Sequence, residues 1–90
     1  MSFEIRFLPS FEKELKRLAK KYPSIKQDFG QLVHLLKNNP SSGISLGNHC
    51  FKIRMSIASK GKGKSAGARV VYYLQVVDHT VFLMAIFDKS

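Results

Sequence analysis

The most informative stretch of the sequence is Phe51-Lys52-Ile53-Arg54-Met55-Ser56-Ile57. Side chains along a β-strand point alternately to its two sides, so every second residue shares a face. The apolar residues of this stretch fall on one side, and Lys52, Arg54 and Ser56 fall on the other. We therefore predict a strand with one face in the core and one face that carries fixed positive charge.

More cations follow this strand, whereas carboxylates are absent from the middle of the chain. The next cations are Lys60, Lys62, Lys64 and Arg69. The chain has 6 acidic residues, and none of them lies between Phe29 and Val77. We expect these cations to converge on one surface without local neutralisation, which favours a polyanion or an acidic protein as the partner.

Composition limits the protein to one small domain that spans residues 1–90. The chain has 90 residues, 44% of them hydrophobic, and a formal net charge of +9. This charge favours nucleic acid as a partner, with an acidic protein as the other candidate. No stretch approaches the ~20 apolar residues of a membrane span, and the first residues lack a signal-peptide pattern, so we expect a cytoplasmic protein without membrane contact. The single Cys50 cannot form an internal disulfide, which agrees with a reducing compartment.

Periodicity predicts one strand and two helices in the first half of the chain. Phe3, Ile5 and Phe7 alternate with polar residues, as in a short strand. From Ser10 the apolar residues recur at helical spacing, and Pro23 ends this first helix. Ser24 and Gln27 have the spacing of a capping box and open a second helix. The apolar residues assigned to the two helices are Phe11, Leu15, Leu18, Tyr22, Ile25, Phe29, Leu32, Val33 and Leu36.

The second half of the chain predicts three further strands. We expect a loop over Ser41–Asn48, a strand over His49–Ala58, a loop over Ser59–Ala68, a strand over Arg69–Val77, a turn at Asp78-His79 and a strand over Thr80–Phe87. Within the first loop, Ile44 and Leu46 are expected to pack against the core. The short connections favour antiparallel pairing of these three strands.

The predicted fold class is therefore α+β with the order β-α-α-β-β-β. A helical hairpin packs on one face of a small, mainly antiparallel, twisted sheet, and the first strand joins an edge of this sheet or inserts into it. The other sheet face, which carries Lys52, Arg54 and Arg69, stays open.

Several of these features together resemble the RelE/ParE superfamily of bacterial toxins. They are the Lys-x-Arg strand, the Lys/Gly loop with the segment Lys62–Arg69, the Arg-Val-Val-Tyr-Tyr strand, and the last strand with Phe87-Asp88-Lys89-Ser90, all after a helical hairpin. The resemblance implies the toxin of a type II toxin-antitoxin system, held by a cognate antitoxin in a hetero-oligomer. RelE-like members cut messenger RNA on the ribosome, whereas ParE-like members inhibit DNA gyrase, and the fold by itself does not choose between them.

The resemblance also assigns candidate site residues. The ribonuclease members are similar in placing basic residues where this chain has Lys52, Arg54 and Arg69. They usually have a further Arg and a Tyr after the last strand. Here only Lys89 lies near that place, and no tyrosine follows the last strand.

Cations can cleave RNA without a metal or another cofactor, and we expect neither here. The 2′-hydroxyl attacks the adjacent phosphate, so the protein must remove a proton, stabilise the phosphorane and protonate the leaving oxygen. Lys52 is the candidate general base because neighbouring charge should lower its pKa. Arg54 and Arg69 bind phosphate oxygens, and Lys89 is a weak substitute for the missing acid. Alternatively, these residues bind only phosphate or antitoxin carboxylates and transfer no proton.

Further residues are candidates for RNA binding rather than for catalysis. For Lys60, Lys62 and Lys64 we expect contacts with backbone phosphates, because a glycine-rich loop positions side chains poorly. Tyr73 shares the predicted face of Arg69 and is a candidate for stacking on a base, whereas Tyr72 is expected in the core.

Two other site types are not supported by the sequence. The segment Gly61–Ser65 resembles a phosphate-binding loop only superficially, because the full spacing and a following helix are missing. The three histidines, His34, His49 and His79, have no acidic or cysteine neighbour at ligand spacing, so no metal site is predicted.

Two hypotheses from different classes follow. The first is a ribosome-dependent endoribonuclease toxin. The second is a binding protein on the same fold, either a toxin that inhibits gyrase or an inactive partner of an antitoxin.

Overall fold

The computed structural model describes residues 2–60 and 67–89, except for the side chain of Lys89. Its elements are β1 (Glu4–Phe7), α1 (Pro9–Lys21), α2 (Ile25–Asn38), β2 (Ile44–Gly47), β3 (Cys50–Ser56), a 3-10 turn (Ala58–Lys60), β4 (Gly67–Gln75) and β5 (Thr80–Lys89). The order is thus β-α-α-β-β-β-β, and the predicted α+β fold class is confirmed with one additional strand.

The described strands form a single mixed sheet with the order β1-β5-β4-β3-β2. Neighbours from β2 to β5 pair antiparallel, as expected for strands joined by short connections. The first strand joins the sheet at one edge and runs parallel to β5. Because the helical hairpin is the connection between β1 and the rest of the sheet, both helices cover the same sheet face.

The core lies between the two helices and this face of the sheet. Alternate residues of β3, β4 and β5 meet the apolar stripes of the helices, as period-two and helical spacing require. The buried hydrophobic residues are Phe11, Leu18, Ile25, Leu32, Leu36, Met55, Ile57, Ala68, Val70, Tyr72, Leu74, Val81, Leu83 and Ile86. The expected core position of Tyr72 is confirmed, and its hydroxyl donates a hydrogen bond to the carbonyl of Pro40 at 2.7 Å.

The predicted loop Ser41–Asn48 contains the edge strand β2, which the sequence did not indicate. Gly47, Asn48 and His49 have φ angles of 89°, 53° and 64°, so three successive left-handed residues close a tight hairpin onto β3. The prediction that Ile44 and Leu46 pack against the core is wrong, because their side chains are 65% and 52% exposed. An edge strand is covered by a neighbour on one side only, which leaves these side chains in solvent.

The start of α2 also differs from the prediction. Ser24 precedes the helix without a side-chain cap, so the capping box with Gln27 is not formed. The Ser24 hydroxyl instead donates a hydrogen bond to Asp28 Oδ2 at 2.7 Å. The same carboxylate oxygen accepts the backbone N–H of Ala58 at 3.2 Å, and Asp28 is only 8% exposed. A tertiary contact to the 3-10 turn has replaced the local cap.

None of the helices in the described part of the chain is long and apolar enough to span a membrane.

Candidate nucleic-acid interface

The sheet face opposite the helices, called the open face below, carries cations on two neighbouring strands. Arg54 of β3 is in register with Arg69 of β4. Met55, which follows Arg54, and Ala68, which precedes Arg69, are both buried on the helix side. Because side chains alternate along a strand, both arginines lie on the open face. Lys52 lies two residues before Arg54 on β3 and shares this face. The structure therefore brings the three predicted cations together.

A cleft of about 480 Å³ lies beside these cations. Its lining consists of Ser42, Gly43, Ile44, Lys52, Ile53, Arg54 and Arg69. Among these described lining residues there is no carboxylate. The cleft is therefore a basic site of a size that suits a phosphate group and its attached sugar.

The segment that enters β2 forms one wall of the cleft, and the sequence analysis did not identify it. Gly43 donates its backbone N–H to the Tyr72 hydroxyl at 3.1 Å, which fixes the wall to the core. A Cβ at Gly43 would lie 2.7 Å from the Lys52 carbonyl oxygen, so the wall approaches β3 as closely as a glycine permits. The signal in the sequence was a single glycine among serines, which equally suits an ordinary loop.

The paired arginines carry an electrostatic cost. Like charges directly opposite each other on one face of a sheet destabilise the sheet, by an amount of about 0.2 to 1 kcal/mol. A bound phosphate removes this repulsion, because each guanidinium can present two N–H groups to its oxygens. The geometry thus favours an anion between Arg54 and Arg69.

Lys60 lies away from the open face. Its ammonium donates hydrogen bonds to Asp88 Oδ1 at 2.5 Å and to the carbonyl of Gly67 at 2.9 Å. It also lies over the Tyr22 ring, 5.2 Å from the centroid, and its side chain is 9% exposed. The expectation that no carboxylate neutralises the cations of the chain's middle is wrong for Lys60, because β5 brings Asp88 to it.

The Asp88 carboxylate is adapted to this contact. The hydrogen bond from Lys60 holds the pKa of the Asp88 carboxyl below its usual value, and the Tyr22 hydroxyl, which donates to Oδ2 at 3.0 Å, acts in the same direction. Burial opposes this shift but is outweighed. Lys60 is consequently held in a structural ion pair on the helix side of the sheet.

The side chains of three further predicted cations lie outside the described part of the chain. Lys62 and Lys64 lie outside the described residues. The backbone of Lys89 ends β5 in register with Gly67, but its side chain is outside the description.

Aromatic residues also lie on the open face. Tyr73 contacts the rings of His49 and Phe82, with centroid distances of 6.4 and 6.5 Å. It follows Arg69 by four residues, or roughly 13 Å along the strand. Phe87, which the sequence analysis did not select, is in register with Arg69 and is 55% exposed. Its position next to a cation could have been found only from the pairing of β4 with β5.

No group of His, Cys, Asp and Glu side chains that could hold a metal ion occurs within residues 2–60 and 67–89.

Comparisons with known proteins identify the fold. No family model matches the sequence, and no curated protein matches it. Several solved structures, however, match the fold of this chain. A double mutant of the Escherichia coli toxin RelE in the free state superimposes with a TM-score of 0.71 at 20% identity, covering 98% of this chain and 84% of that chain.

Two complexes give the same result. RelE in the intact E. coli RelBE toxin-antitoxin complex matches with a TM-score of 0.69 at 23% identity, and 99% of each chain is covered. The archaeal RelE-RelB complex from Pyrococcus horikoshii OT3 matches with a TM-score of 0.66 at 14% identity, covering 100% of this chain and 98% of that chain. The chain therefore has the fold of RelE toxins, and the predicted resemblance is confirmed at the level of the fold.

Proposed function

We propose that this protein is the toxin of a type II toxin-antitoxin system and that it cleaves messenger RNA on the ribosome. The observation that carries the proposal is the register of Arg54 with Arg69, next to Lys52, on an open face that borders a basic cleft of about 480 Å³. The RelE fold supports the proposal only as an analogy. One fold can carry different activities, so the fold does not by itself assign the nuclease.

In the proposed reaction, the RNA itself supplies the nucleophile. The 2′-hydroxyl loses its proton to the Lys52 amine and attacks the adjacent phosphorus. Arg54 and Arg69 bind the nonbridging oxygens, where negative charge increases in the phosphorane. The bond to the 5′-oxygen then breaks, and this oxygen takes a proton, for which Lys89 is the proposed donor. The products are a 2′,3′-cyclic phosphate and a free 5′-hydroxyl.

Contacts outside the reacting phosphate hold the RNA. Phe87 next to Arg69 and Tyr73 further along β4 are proposed to stack on bases, since aromatic faces bind unpaired bases of any sequence. Lys62 and Lys64 are proposed to contact backbone phosphates. Lys60 is left out of this set because its ammonium is already bound to Asp88.

The proposed partners are an antitoxin, the ribosome and its messenger RNA, which would place the protein in the cytoplasm. The open face combines cations with the exposed apolar side chains of Ile44 and Phe87. A protein segment with both acidic and apolar residues complements such a surface. The ribosome would supply the orientation of the substrate, which three side chains on a shallow face cannot enforce.

Substitution of the candidate base tests the mechanism. Lys52→Arg keeps a cation at this position but replaces an amine, which can take part in proton transfer, with a guanidinium, which stays protonated in proteins. We expect cleavage to fall by about 100-fold while binding of uncleaved RNA changes little. The measurement maps the 5′ ends of messenger RNA in a translating extract after addition of each protein.

The exposed helix residue Lys37 provides a matched control, and Lys37→Arg should cleave like the wild type. Equal cleavage by Lys52→Arg and wild type would show that Lys52 is not the base. Intact messages at a dose that stops growth would reject the nuclease altogether.

The alternative is a binding protein on the same fold. The exposed apolar side chains of Ile44 and Phe87 beside the arginines favour this alternative, because they can pack against another protein as well as against a nucleobase. A gyrase-inhibiting toxin would block supercoiling by purified gyrase and leave messages intact. An inactive antitoxin-binding partner would do neither and would not arrest growth when expressed.

A further inference from the structure

Tyr72 lies in the core, and its ring fills a space that a phenylalanine could fill equally well. The residue is 0% exposed, and its ring stacks on that of Phe51 with the centroids 5.3 Å apart. A buried hydroxyl is unfavourable unless it is hydrogen-bonded, so this oxygen needs partners inside the protein. Those partners indicate what the hydroxyl contributes beyond packing.

The Tyr72 hydroxyl is bonded to the segment that leads into the basic cleft. It donates to the carbonyl of Pro40 at 2.7 Å and accepts the backbone N–H of Gly43 at 3.1 Å. Ser42, Gly43 and Ile44 line the cleft and are called the wall below. One oxygen atom in the core therefore holds the wall and the chain that enters it.

Strand pairing by itself supports the wall only weakly. The wall leads into β2, which has four residues and lies at the edge of the sheet, so it pairs with a neighbour on one side. A register shift also interrupts its pairing with β3 between Ser45 and Gly47. The hydrogen bonds from Tyr72 are consequently a major constraint on where the wall lies.

The wall borders the candidate base. Lys52 is in register with Ile44 on one side and with Val71 on the other, and cross-strand partners share a face at packing distance. Lys52 is half-buried, whereas Arg54, two residues further along the same face, is exposed. The apolar neighbours account for this difference, because a lysine packs its methylene stem along apolar side chains and keeps its amine in water. The wall thus limits the directions that the Lys52 amine can take.

We infer that Tyr72 is a positioning residue for RNA cleavage. Through the wall, its hydroxyl sets the place of the Lys52 amine relative to a phosphate bound between Arg54 and Arg69. Tyr72 does not contact the RNA in this role, which rests on the proposed nuclease function. A small displacement of a reacting group is costly, since a misplacement of about 1 Å can slow a reaction by about 100-fold.

Removal of the hydroxyl tests the inference. Tyr72→Phe keeps the ring in the core and releases the wall. The measurement is the rate of messenger RNA cleavage on programmed ribosomes in a single turnover, at increasing protein concentration. We expect the rate at saturation to fall by about tenfold, less than for Lys52→Arg because the amine is retained. The half-saturating concentration should change less than the rate, since both arginines still bind the phosphate.

Thr80→Val is the matched control for lost stability. Thr80 is 5% exposed, and its hydroxyl donates to the carbonyl of Asp78 at 3.0 Å in the turn before β5, away from the cleft. A variant that is only less stable has a smaller active fraction, which raises the half-saturating concentration and leaves the saturated rate intact. Thr80→Val should behave in this way. An equal loss of saturated rate in Tyr72→Phe and Thr80→Val would overturn the inference.

A second pair of variants leaves the core unchanged. Ile44 and Leu46 are 65% and 52% exposed, so truncating either side chain should have little effect on folding. Ile44→Ala removes the part of the wall beside Lys52 and should also lower the saturated rate. Leu46→Ala should cleave like the wild type, because Leu46 is not among the described residues that line the cleft. Equal rates for these two variants would contradict the role of the wall.

Amide hydrogen exchange reports on the wall without any cleavage. The Gly43 N–H should exchange about tenfold faster in Tyr72→Phe than in the wild type, because its acceptor is gone. The Leu74 N–H, which donates to the carbonyl of His49 at 2.8 Å, should not change. Faster Gly43 exchange together with a wild-type rate of cleavage would overturn the inference and leave the nuclease in place. Messages that the wild type leaves intact would reject the proposed function, and this role of Tyr72 with it.

Discussion

At the scale of single residues, Asp88 connects three elements through one carboxylate. Lys60, Tyr22 and Lys21 approach it at 2.5, 3.0 and 3.5 Å. The Asp88 side chain is 13% exposed and that of Lys60 is 9% exposed, so this pair is far less hydrated than the other ion pairs of the described chain. The contact joins the end of β5 to the 3-10 turn and to the end of α1.

Removal of the Asp88 charge should destabilise the protein measurably. Asp88→Asn leaves the Lys60 ammonium without its anion, and we expect the free energy of unfolding to fall by about 2 kcal/mol. Urea denaturation at pH 7 measures this loss. Glu4→Gln is the control, because Glu4 pairs with Arg6 in solvent and its loss should cost less than about 0.5 kcal/mol. A similar cost for both variants would contradict the structural role of Asp88.

Asp88 should also make the free energy of unfolding depend on pH in the acidic range. The pKa of the Asp88 carboxyl is lowered in the folded protein, chiefly by the hydrogen bond from Lys60. Its stabilisation is therefore present above the unfolded pKa of about 3.9 and is lost as the pH falls through the folded value. Between pH 5 and acid denaturation, the stability of the wild type should decline more steeply than that of Asp88→Asn.

At the scale of elements, the placement of β2 depends on a close backbone approach. A Cβ on Gly43 would lie 2.7 Å from the Lys52 carbonyl oxygen and 2.9 Å from the Tyr72 hydroxyl. Both neighbours belong to the packed sheet and cannot yield easily. The wall of the basic cleft thus requires glycine at this position.

Two glycine substitutions should have opposite effects on stability. Gly43→Ala must move β2, and we expect a loss of about 1 to 2 kcal/mol together with weaker RNA binding at the cleft. Gly30→Ala should stabilise the protein by about 0.5 to 1 kcal/mol, because Gly30 lies in α2 with no atom within 4 Å of an added Cβ. Thermal and urea unfolding measure both effects. A neutral Gly43→Ala would show that the strand can shift freely.

At the scale of the whole molecule, positive charge opposes folding and favours binding. The formal net charge is +9, and cations lie on the open face and along the exposed side of α1. Self-repulsion of this kind destabilises the compact state and is screened by salt. A protein adapted to a polyanion is therefore expected to be more stable when that polyanion, or salt, is present.

Salt and one arginine substitution test this balance. Raising the salt concentration from about 0.05 to 0.5 M should raise the melting temperature by a few degrees, because the Debye length falls well below the size of the domain. Arg69→Gln should stabilise the protein by about 0.5 kcal/mol at low salt, since it relieves the cross-strand repulsion with Arg54, and by little at high salt. A melting temperature that decreases with salt would mean that ion pairs outweigh repulsion.

Local patterns were sufficient for most of the elements. The alternation in Phe51–Ile57 and the helical spacing from Phe11 to Leu18 each recur within a few residues, so they predicted the strand, the helix and their buried sides. The same alternation predicted that Arg54 and Lys52 share a face. These features depend on residues close in sequence, where the geometry of the backbone leaves few choices.

Other features depended on residues far apart in sequence. Asp28 replaced the predicted cap of α2 because Ala58 lies against it, and Asp88 neutralised Lys60 across 28 residues of chain. Strand β2 is only four residues long and has little apolar pattern of its own. It is a strand because its backbone pairs antiparallel with β3. No local signal predicts such contacts, since each of them forms only after the sheet and helices have packed.

Side-chain periodicity was enough to predict the α+β class, the two amphipathic helices and a basic sheet face, because a period of two or of 3.6 residues assigns each side chain to a face. Packing and strand pairing added that Arg54 is directly opposite Arg69, that Lys60 is held by Asp88, and that the segment entering β2 forms the wall of the cleft. Strand register and packing set those distances, and neither is encoded within any single segment.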